Sequence, residues 1–543
     1  MSCSKRIFCS LIVGSLLLVL MSSNGYSLFL PAEGRHIESV PKIDANNNSI
    51  LQVYTFNDSI TVNNDSDLAA IASSGVGSAN DSYIITGWNI TSSPTDGIYV
   101  SGTTKYFRIE NCSVCDCSRG IVIRNVASGT VTITNNTCTN NTEFGIRIVD
   151  SDFSNITDNT CNNNGNSGIS LTFSDSSLLN NNSCNHNYVD GIKIRGSSSS
   201  NITNNICYGN RFNGISLDSS GSSLLINNTC IGHYEAGIYL RYSSSSTIAN
   251  NTCNSNVHYG IYLHSSSFSN IIDNNCNSIG RISHYSDSSG IFLDSSYYSI
   301  ITNNSCNDNH NVGIEIGDSE YSKITDNICN SNGNSGISLE DAGFSNITDN
   351  ICNSNGNSSI FLHSSSSLRL DNNICNNSRI GIELSDSHSA TVVNNFCINN
   401  NNGIDLIVSP YSLLRNNTCN RNSGNGISLY SSGISLLYNN TCNNNGNSGI
   451  FLDSSSYSII THNFCNSNTK YGISVIGLTN VTLRNNICND NGVENIHLSD
   501  PSPSPTTTPT TSGTTRIPSV IYRLFLFLII IGLLLIIAWI KKD

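Results

Sequence analysis

From Tyr83 onward, apolar residues return in a fixed beat. Ile and Leu stand two apart in Gly168-Ile169-Ser170-Leu171, Gly214-Ile215-Ser216-Leu217 and Gly426-Ile427-Ser428-Leu429, and a further Ile heads pieces such as Ile156-Thr157-Asp158-Asn159 just before a cysteine. Residues two apart on an extended chain face one side, so each repeat predicts two short strands with Ile and Leu turned inward, joined by Asn, Ser and Gly turns. Cysteine marks the period. Cys138, Cys161, Cys184, Cys207, Cys230, Cys253 and Cys276 fall 23 residues apart, and the series continues through Cys306, Cys329, Cys352, Cys375, Cys397, Cys419, Cys442, Cys465 and Cys488 in steps of 22 or 23, with one step of 30.

A short period over so many copies is the mark of a solenoid, whose units bury their apolar faces only against each other. No helical spacing occurs within the repeat, and its units are poorer in Leu than a leucine-rich horseshoe requires. The expected fold is all-β: a right-handed parallel β-helix of about 18 coils, roughly 85 Å long at strand spacing. Before each of the sixteen cysteines, two residues upstream, stands Asn, from Asn136 and Asn159 to Asn486. An inward amide can donate to one neighbouring coil and accept from the other, so a buried asparagine ladder is expected. Ile90 and Val114 occupy the cysteine position in the first coils. A site that accepts Ile and Val is an apolar filler, and the cysteines therefore read as an interior stack of free thiols, with disulfides between adjacent coils as the alternative. Cys112, Cys115 and Cys117 lie outside the stack and admit one local disulfide.

The flanks break the period. Lys5 and Arg6 precede an apolar run from Ile7 to Met21, so residues 1–26 read as a signal peptide. Residues 27–82 form an N-terminal segment in which Asp65 to Gly75 predicts an amphipathic helix capping the first coil. The β-helix is expected over 83–500, followed by a Pro-rich and Thr-rich stalk at 501–519. Residues 520–540 are apolar enough for a transmembrane helix, with Lys541 and Lys542 in a cytoplasmic tail at 541–543. This arrangement predicts a single-pass cell-membrane protein with the β-helix outside.

Charge changes the picture by exclusion. Only 12% of residues are charged and the net charge is −13, which leaves no basic face for phosphates, so nucleic acid is not an expected partner. Evenly spaced single thiols lack the clustered spacing of a metal site, and no cofactor is expected. Sequons such as Asn201-Ile202-Thr203 and Asn439-Asn440-Thr441 are dense and open to glycosylation on a secreted chain.

The pattern Ile-Thr-Asn-Asn-Thr-Cys followed by Asn-Asn-Gly-x-x-Gly-Ile-x-Leu, entered at Tyr83-Ile84-Ile85-Thr86-Gly87-Trp88-Asn89-Ile90, resembles the parallel β-helix repeat family. Within it the chain is similar to the NosD-like β-helix domain of the periplasmic copper-binding type, over about residues 83 to 500. The resemblance implies the fold and leaves activity open, since related helices include polysaccharide lyases, epimerases and non-enzymatic surface proteins. Its copper link finds no His, Met and Cys cluster here.

Two sets of candidate residues face outward. Glu383 and Asp405 occupy the position between Ile and Leu on neighbouring coils, about 5 Å apart, near the carboxylate separation of retaining glycosidases, with Asp386 close in sequence. They are the catalytic candidates if the protein is a lyase, hydrolase or epimerase; no Arg or Lys stands beside them on their row, Arg379 in the turn before being the nearest in sequence, and two solvated carboxylates are the plainer reading. Tyr239, Tyr262 and Phe292 are successive on the same row. A seven-residue insertion between Cys276 and Gly290 brings Tyr285 beside them, with His264 nearby. Aromatic rings with polar neighbours suit sugars, so carbohydrate binding is expected there. The expected role is that of a surface β-helix with a structural, adhesive or carbohydrate-binding function, its partners being extracellular glycans or cell-envelope components.

Overall fold

Each coil turns one strand of the Gly-Ile-x-Leu pattern onto the strand of the coil before. Ser289–Asp294 pairs in parallel with Tyr259–His264 on one side and Val312–Gly317 on the other, placing Ile291 between Ile261 and Ile314 and Phe292 between Tyr262 and Glu315. Identical residues therefore lie over identical residues, which is why a 23-residue beat in the chain becomes straight columns in space. In the computed structural model residues 55–56, 59–280, 288–477 and 480–499 are described. All of them belong to one compact unit, Val53–Asp543. The fold is a right-handed parallel β-helix of about 18 coils.

Two sheets are as expected. The Gly-Ile-x-Leu sheet runs from Ile60–Val62, paired with Ile98–Val100, to Glu494–Ser499. In most of its strands Ile and Leu are wholly buried, and where the residue between them is large it stays partly exposed, as at Ile261, Tyr262 and Leu263. The second sheet is narrower, with strands such as Ile300–Thr302 in which only the middle residue turns inward. A third line of pairing was not expected. It passes through the residue before each cysteine, as a sheet at Trp88–Thr91, Ser113–Cys115 and Thr137–Thr139, and then mostly as single bridges such as Ser305 with Ile328 and Ile328 with Ile351. One residue per coil is too short to show as a strand pattern in sequence.

The core consists of stacked columns. Cys138 lies in register with Val114, and Val114 with Ile90, so the expected substitution of thiol by aliphatic holds in space. The cysteines from Cys112 to Cys488 are all free, and all but Cys115 are buried. Burial pushes the thiols of Cys161, Cys184 and Cys230 well above the usual thiol range. The asparagine ladder is formed as predicted. Asn327 Oδ1 accepts from the backbone N–H and the amide of Asn304 at 2.9 and 3.0 Å, while its Nδ2 donates to Ile301 O and to Asn350 Oδ1, each at 3.0 Å. A second ladder three residues after each cysteine was not foreseen; in it Asn141 donates to Asn164 and Asn164 to Asn187 through their side-chain amides. Serine columns do similar work at the turn after the Gly-Ile-x-Leu strand, where Ser197 N donates to Ser220 Oγ at 3.0 Å.

Helix α1, Asp65–Ile71, is shorter than the expected Asp65 to Gly75. Asn64 caps it by accepting the N–H groups of Ser66 and Asp67. Beyond Ala72 the chain turns extended, and Ser74 bridges to Ile84. The helix buries Leu68 and rests on the strands Ile60–Val62 and Tyr83–Thr86. Asp65 fastens it to the coil above, accepting from Thr103 Oγ1 and Thr104 N at 2.7 Å each, and these bonds hold its carboxyl below the usual range.

One expectation is corrected. Among the described residues no helix is long and apolar enough to cross a membrane, so the expected C-terminal transmembrane helix is not part of the described fold. Residues 520–540, the signal peptide at 1–26, the stalk at 501–519 and the tail at 541–543 lie outside the described residues.

Candidate functional site

Side chains at the outward positions of the Gly-Ile-x-Leu sheet form an aligned row of polar and aromatic groups that solvent can reach. Strand pairing puts Tyr239 over Tyr262 and Tyr262 over Phe292. Their rings stack, with centroids 5.1 Å apart at each step and planes 27° and 14° apart. Tyr259, at the start of its strand, leans onto the same row, 4.8 Å from Tyr262 and 5.4 Å from Phe292. Neighbouring rings thus cover one another's faces, and their edges and the two tyrosine hydroxyls are what meets solvent. Partial burial raises the phenols of Tyr239 and Tyr262 above their usual range, keeping both as hydrogen-bond donors.

Beside this row His264 Nδ1 lies 2.7 Å from Asp294 Oδ2, and Tyr262 Oη donates to the same oxygen at 3.5 Å. The expectation named His264 and missed Asp294. The signal was present, because Asp294 stands two residues after Phe292 and therefore on the same face, one coil beyond His264. Tyr285, and with it the whole insertion at 281–287, lies outside the described residues.

The carboxylates come together in part. Glu383 and Asp405 are direct neighbours across strands Ile380–Ser385 and Asn402–Ile407. Glu383 Oε2 accepts from Ser358 Oγ at 2.6 Å, repeating the bond that Ser289 Oγ makes to Glu315 at 2.5 Å. Asp405 is only 4% exposed. Its Oδ2 accepts from Asn402 Nδ2 at 2.9 Å, while Oδ1 has no partner of good geometry among the described residues. Burial pushes its pKa up to about 6 against the pull of Asn402 and Ser428; the Glu383 charge adds to the rise and Arg379 opposes it. Asp386 is not drawn in, standing exposed at positive φ in the turn after the strand. A further aromatic column, Phe268, Tyr298, Tyr321 and Phe344, stacks at 4.8–5.2 Å along an exposed turn.

Among the described residues no group of three or more His, Cys, Asp or Glu side chains is arranged to hold a metal ion. The thiols rise one per coil along the core, each backed by Ile, Leu and Asn, and this geometry fits no copper centre.

The chain matches the family model described as right handed beta helix region over residues 43–183, 155–287 and 276–374. Residues 353–515 match the model described as periplasmic copper-binding protein (NosD). No curated protein matches. Solved structures similar to it include the periplasmic alginate epimerase AlgG, at 12% identity over 79% of this chain and 83% of that one, with a TM-score of 0.29. The Dettilon tailspike protein is similar at 14% identity over 73% and 62%, with a TM-score of 0.30. An alginate lyase from Paenibacillus sp. str. FPU-7 is similar at 12% identity over 56% and 97%, with a TM-score of 0.27. Likeness at this level carries no argument about substrate or activity.

Proposed function

The chain belongs to the right-handed β-helix family and is NosD-like in its C-terminal coils, and from that premise we propose that it is an extracytoplasmic glycan-binding rod rather than an enzyme. The observation that carries this reading is the continuous strip of Tyr239, Tyr262 and Phe292 on the outer sheet, flanked by the His264–Asp294 pair. Two phenol hydroxyls, one imidazole and one carboxylate stand there on coils that rise by ~4.8 Å, close to the length of one pyranose unit in a polysaccharide. Successive units of a polysaccharide can therefore meet successive rings of the strip, and rings already locked into a stack lose little side-chain freedom on binding. The periplasmic description of the matching family supports a place outside the cytoplasm, as does the leader expected at 1–26.

A second reading, a polysaccharide lyase, hydrolase or epimerase using Glu383 and Asp405, draws on the raised pKa of Asp405, which suits a general acid. The near-complete burial of Asp405 and its lack of a cationic neighbour on the same row speak against it. A glycan-array screen with product analysis separates the two. Specific binding that falls at least ~10-fold in Tyr262→Ala, without turnover, supports the rod. Product formation that Glu383→Gln abolishes overturns it.

A further inference from the structure

An open cleft of about 430 Å³ lies at the turn between the cysteine column and the Gly-Ile-x-Leu sheet, lined by none of the residues of the aromatic strip. Three consecutive coils build it. In one turn column stand Asn163, His186 and Gly209, each 23 residues after the last; in another stand Gly165, Tyr188 and Arg211. The coil after Gly165 carries a tyrosine at its place, so the column steps from no side chain to a ring that is 55% exposed. The guanidinium of Arg211 lies over the opposite side of that ring, 4.3 Å from its centroid. Gly209 leaves room for the imidazole, since a Cβ there would stand 2.8 Å from His186 Nδ1. His186 is further held edge-on against Tyr208 at 5.4 Å.

The floor is inert. Asn164 and Asn187 spend their amides on the buried ladder, donating to Asn187 and Asn210 at 3.1 and 3.0 Å. Binding groups are therefore an aromatic ring, a guanidinium, an imidazole and the exposed amide of Asn163. No Asp or Glu lines the cavity, although the chain as a whole carries a net charge of −13. Among the described residues Arg211 has no carboxylate partner, and its attraction to the Tyr188 ring leaves its outer N–H groups unspent.

We propose that this cavity binds one anionic pyranose ring, sulfated or carboxylated, with the apolar face of the sugar on Tyr188 and its charged group on Arg211 and His186. Its volume lies in the range of small-ligand pockets, and a planar guanidinium pairs well with either anion. The proposal does not rest on the glycan reading of the outer sheet, since no residue is shared.

The test is isothermal titration of the purified chain with three oligosaccharides of equal length: a galacturonate, a sulfated galactoside and the uncharged galactoside. The expected result is at least ~10-fold tighter binding of one or both charged sugars than of the uncharged one, a preference that Arg211→Ala removes and added salt weakens. Tyr188→Ala weakens binding of the charged sugars by ~10-fold or more, while Tyr262→Ala leaves it unchanged. Both cavity side chains are exposed and outside the ladders, and an unaltered circular dichroism spectrum checks that their variants keep the fold. Equal affinity for charged and uncharged sugars, affinities unmoved by both cavity variants, or no binding of any of the three at millimolar concentration overturns the proposal.

Discussion

His233 Nδ1 accepts the backbone N–H of Asn210 at 3.0 Å, standing in the second ladder where Asn occupies the coils on either side. Its Nε2 lies 3.1 Å from Cys207 O, so the neutral ring, with the proton on Nε2, reproduces both halves of an asparagine amide. A second proton would sit on the nitrogen that must accept, inside a wholly buried site, and burial accordingly lowers the pKa of His233 to about 4.

That geometry gives the first prediction. The unfolded chain binds a proton at this position below pH ~6.5, whereas the folded chain resists until about pH 4. The contribution to stability is fully present above pH ~6.5 and is lost as the pH falls towards 4, by about 3 kcal/mol. His233→Asn restores the ladder residue and is expected to raise stability at pH 4.5 by about 2 kcal/mol, with little change at pH 8. Urea unfolding at the two pH values measures it.

Asp405 carries the opposite slope. Its pKa is raised to about 6, so the folded state keeps its proton where the unfolded chain releases it. Stability is greatest with the acid neutral and declines as the pH rises from ~3.8 to about 6, again by about 3 kcal/mol. Asp405→Asn is expected to stabilise the protein by about 2 kcal/mol at pH 8 and to leave it unchanged at pH 3.5. Between pH 4 and 6 the two groups offset each other in the native chain. Each single substitution therefore exposes the other's slope, with opposite signs in the two variants, and a flat profile in either would refute the assignment.

The asparagine ladder predicts a third result. Asn327→Ala removes the acceptor for the Asn304 backbone N–H and leaves Ile301 O without the amide donor, both deep in the core. The expected loss is about 3 kcal/mol. Asn327→Asp keeps the acceptor but turns a carboxylate towards Ile301 O and Asn350 Oδ1, so it should cost more at neutral pH and less on acidification. Thermal unfolding as a function of pH distinguishes the two variants, and equal losses would argue against a donor role for the Asn327 amide.

Thiol labelling supplies the fourth. The column from Cys161 to Cys465 is free but fully buried, out of reach of a water-borne reagent; desolvation raises the thiols of Cys161 and Cys184, whereas at Cys276, Cys329, Cys397 and Cys442 desolvation is outweighed by hydrogen bonds with neighbouring thiols, which lower them. A water-soluble disulfide reagent followed by peptide mapping should leave these residues unmodified in the native chain and label them after denaturation. Cys115, the one free thiol of the described set that is not buried, should react first. Native labelling at Cys207 or Cys253 would mean that the coils open.

Much of the architecture was legible because like stacks on like. A 23-residue period converts sequence position directly into height along the helix, so Ile90, Val114 and Cys138 could be placed in one column, and Asn159 under Asn182, from the chain alone. The same rule located Tyr239, Tyr262 and Phe292 on one outward row. It was silent where a line has no alternation to read or where other residues interrupt its repeat. The pairing line beside the cysteines has no alternation to read, and the second ladder was concealed because His233, Ile279 and Ser378 interrupt its asparagines.

Sequence by itself therefore determined the coil, its inward columns and the order of side chains along each face, since a parallel stack in register admits little choice once the period is set. Tertiary structure alone decided how deeply each outward residue is covered and which neighbour it meets. Glu383 and Asp405 hold equivalent positions, yet Asn402 on its own strand closes over Asp405 and makes it the buried acid. His264 finds Asp294 thirty residues away because the step across the insertion is longer than the rest. Such contacts arise from side-chain reach across a rise of ~4.8 Å, and a repeat pattern carries no information about reach.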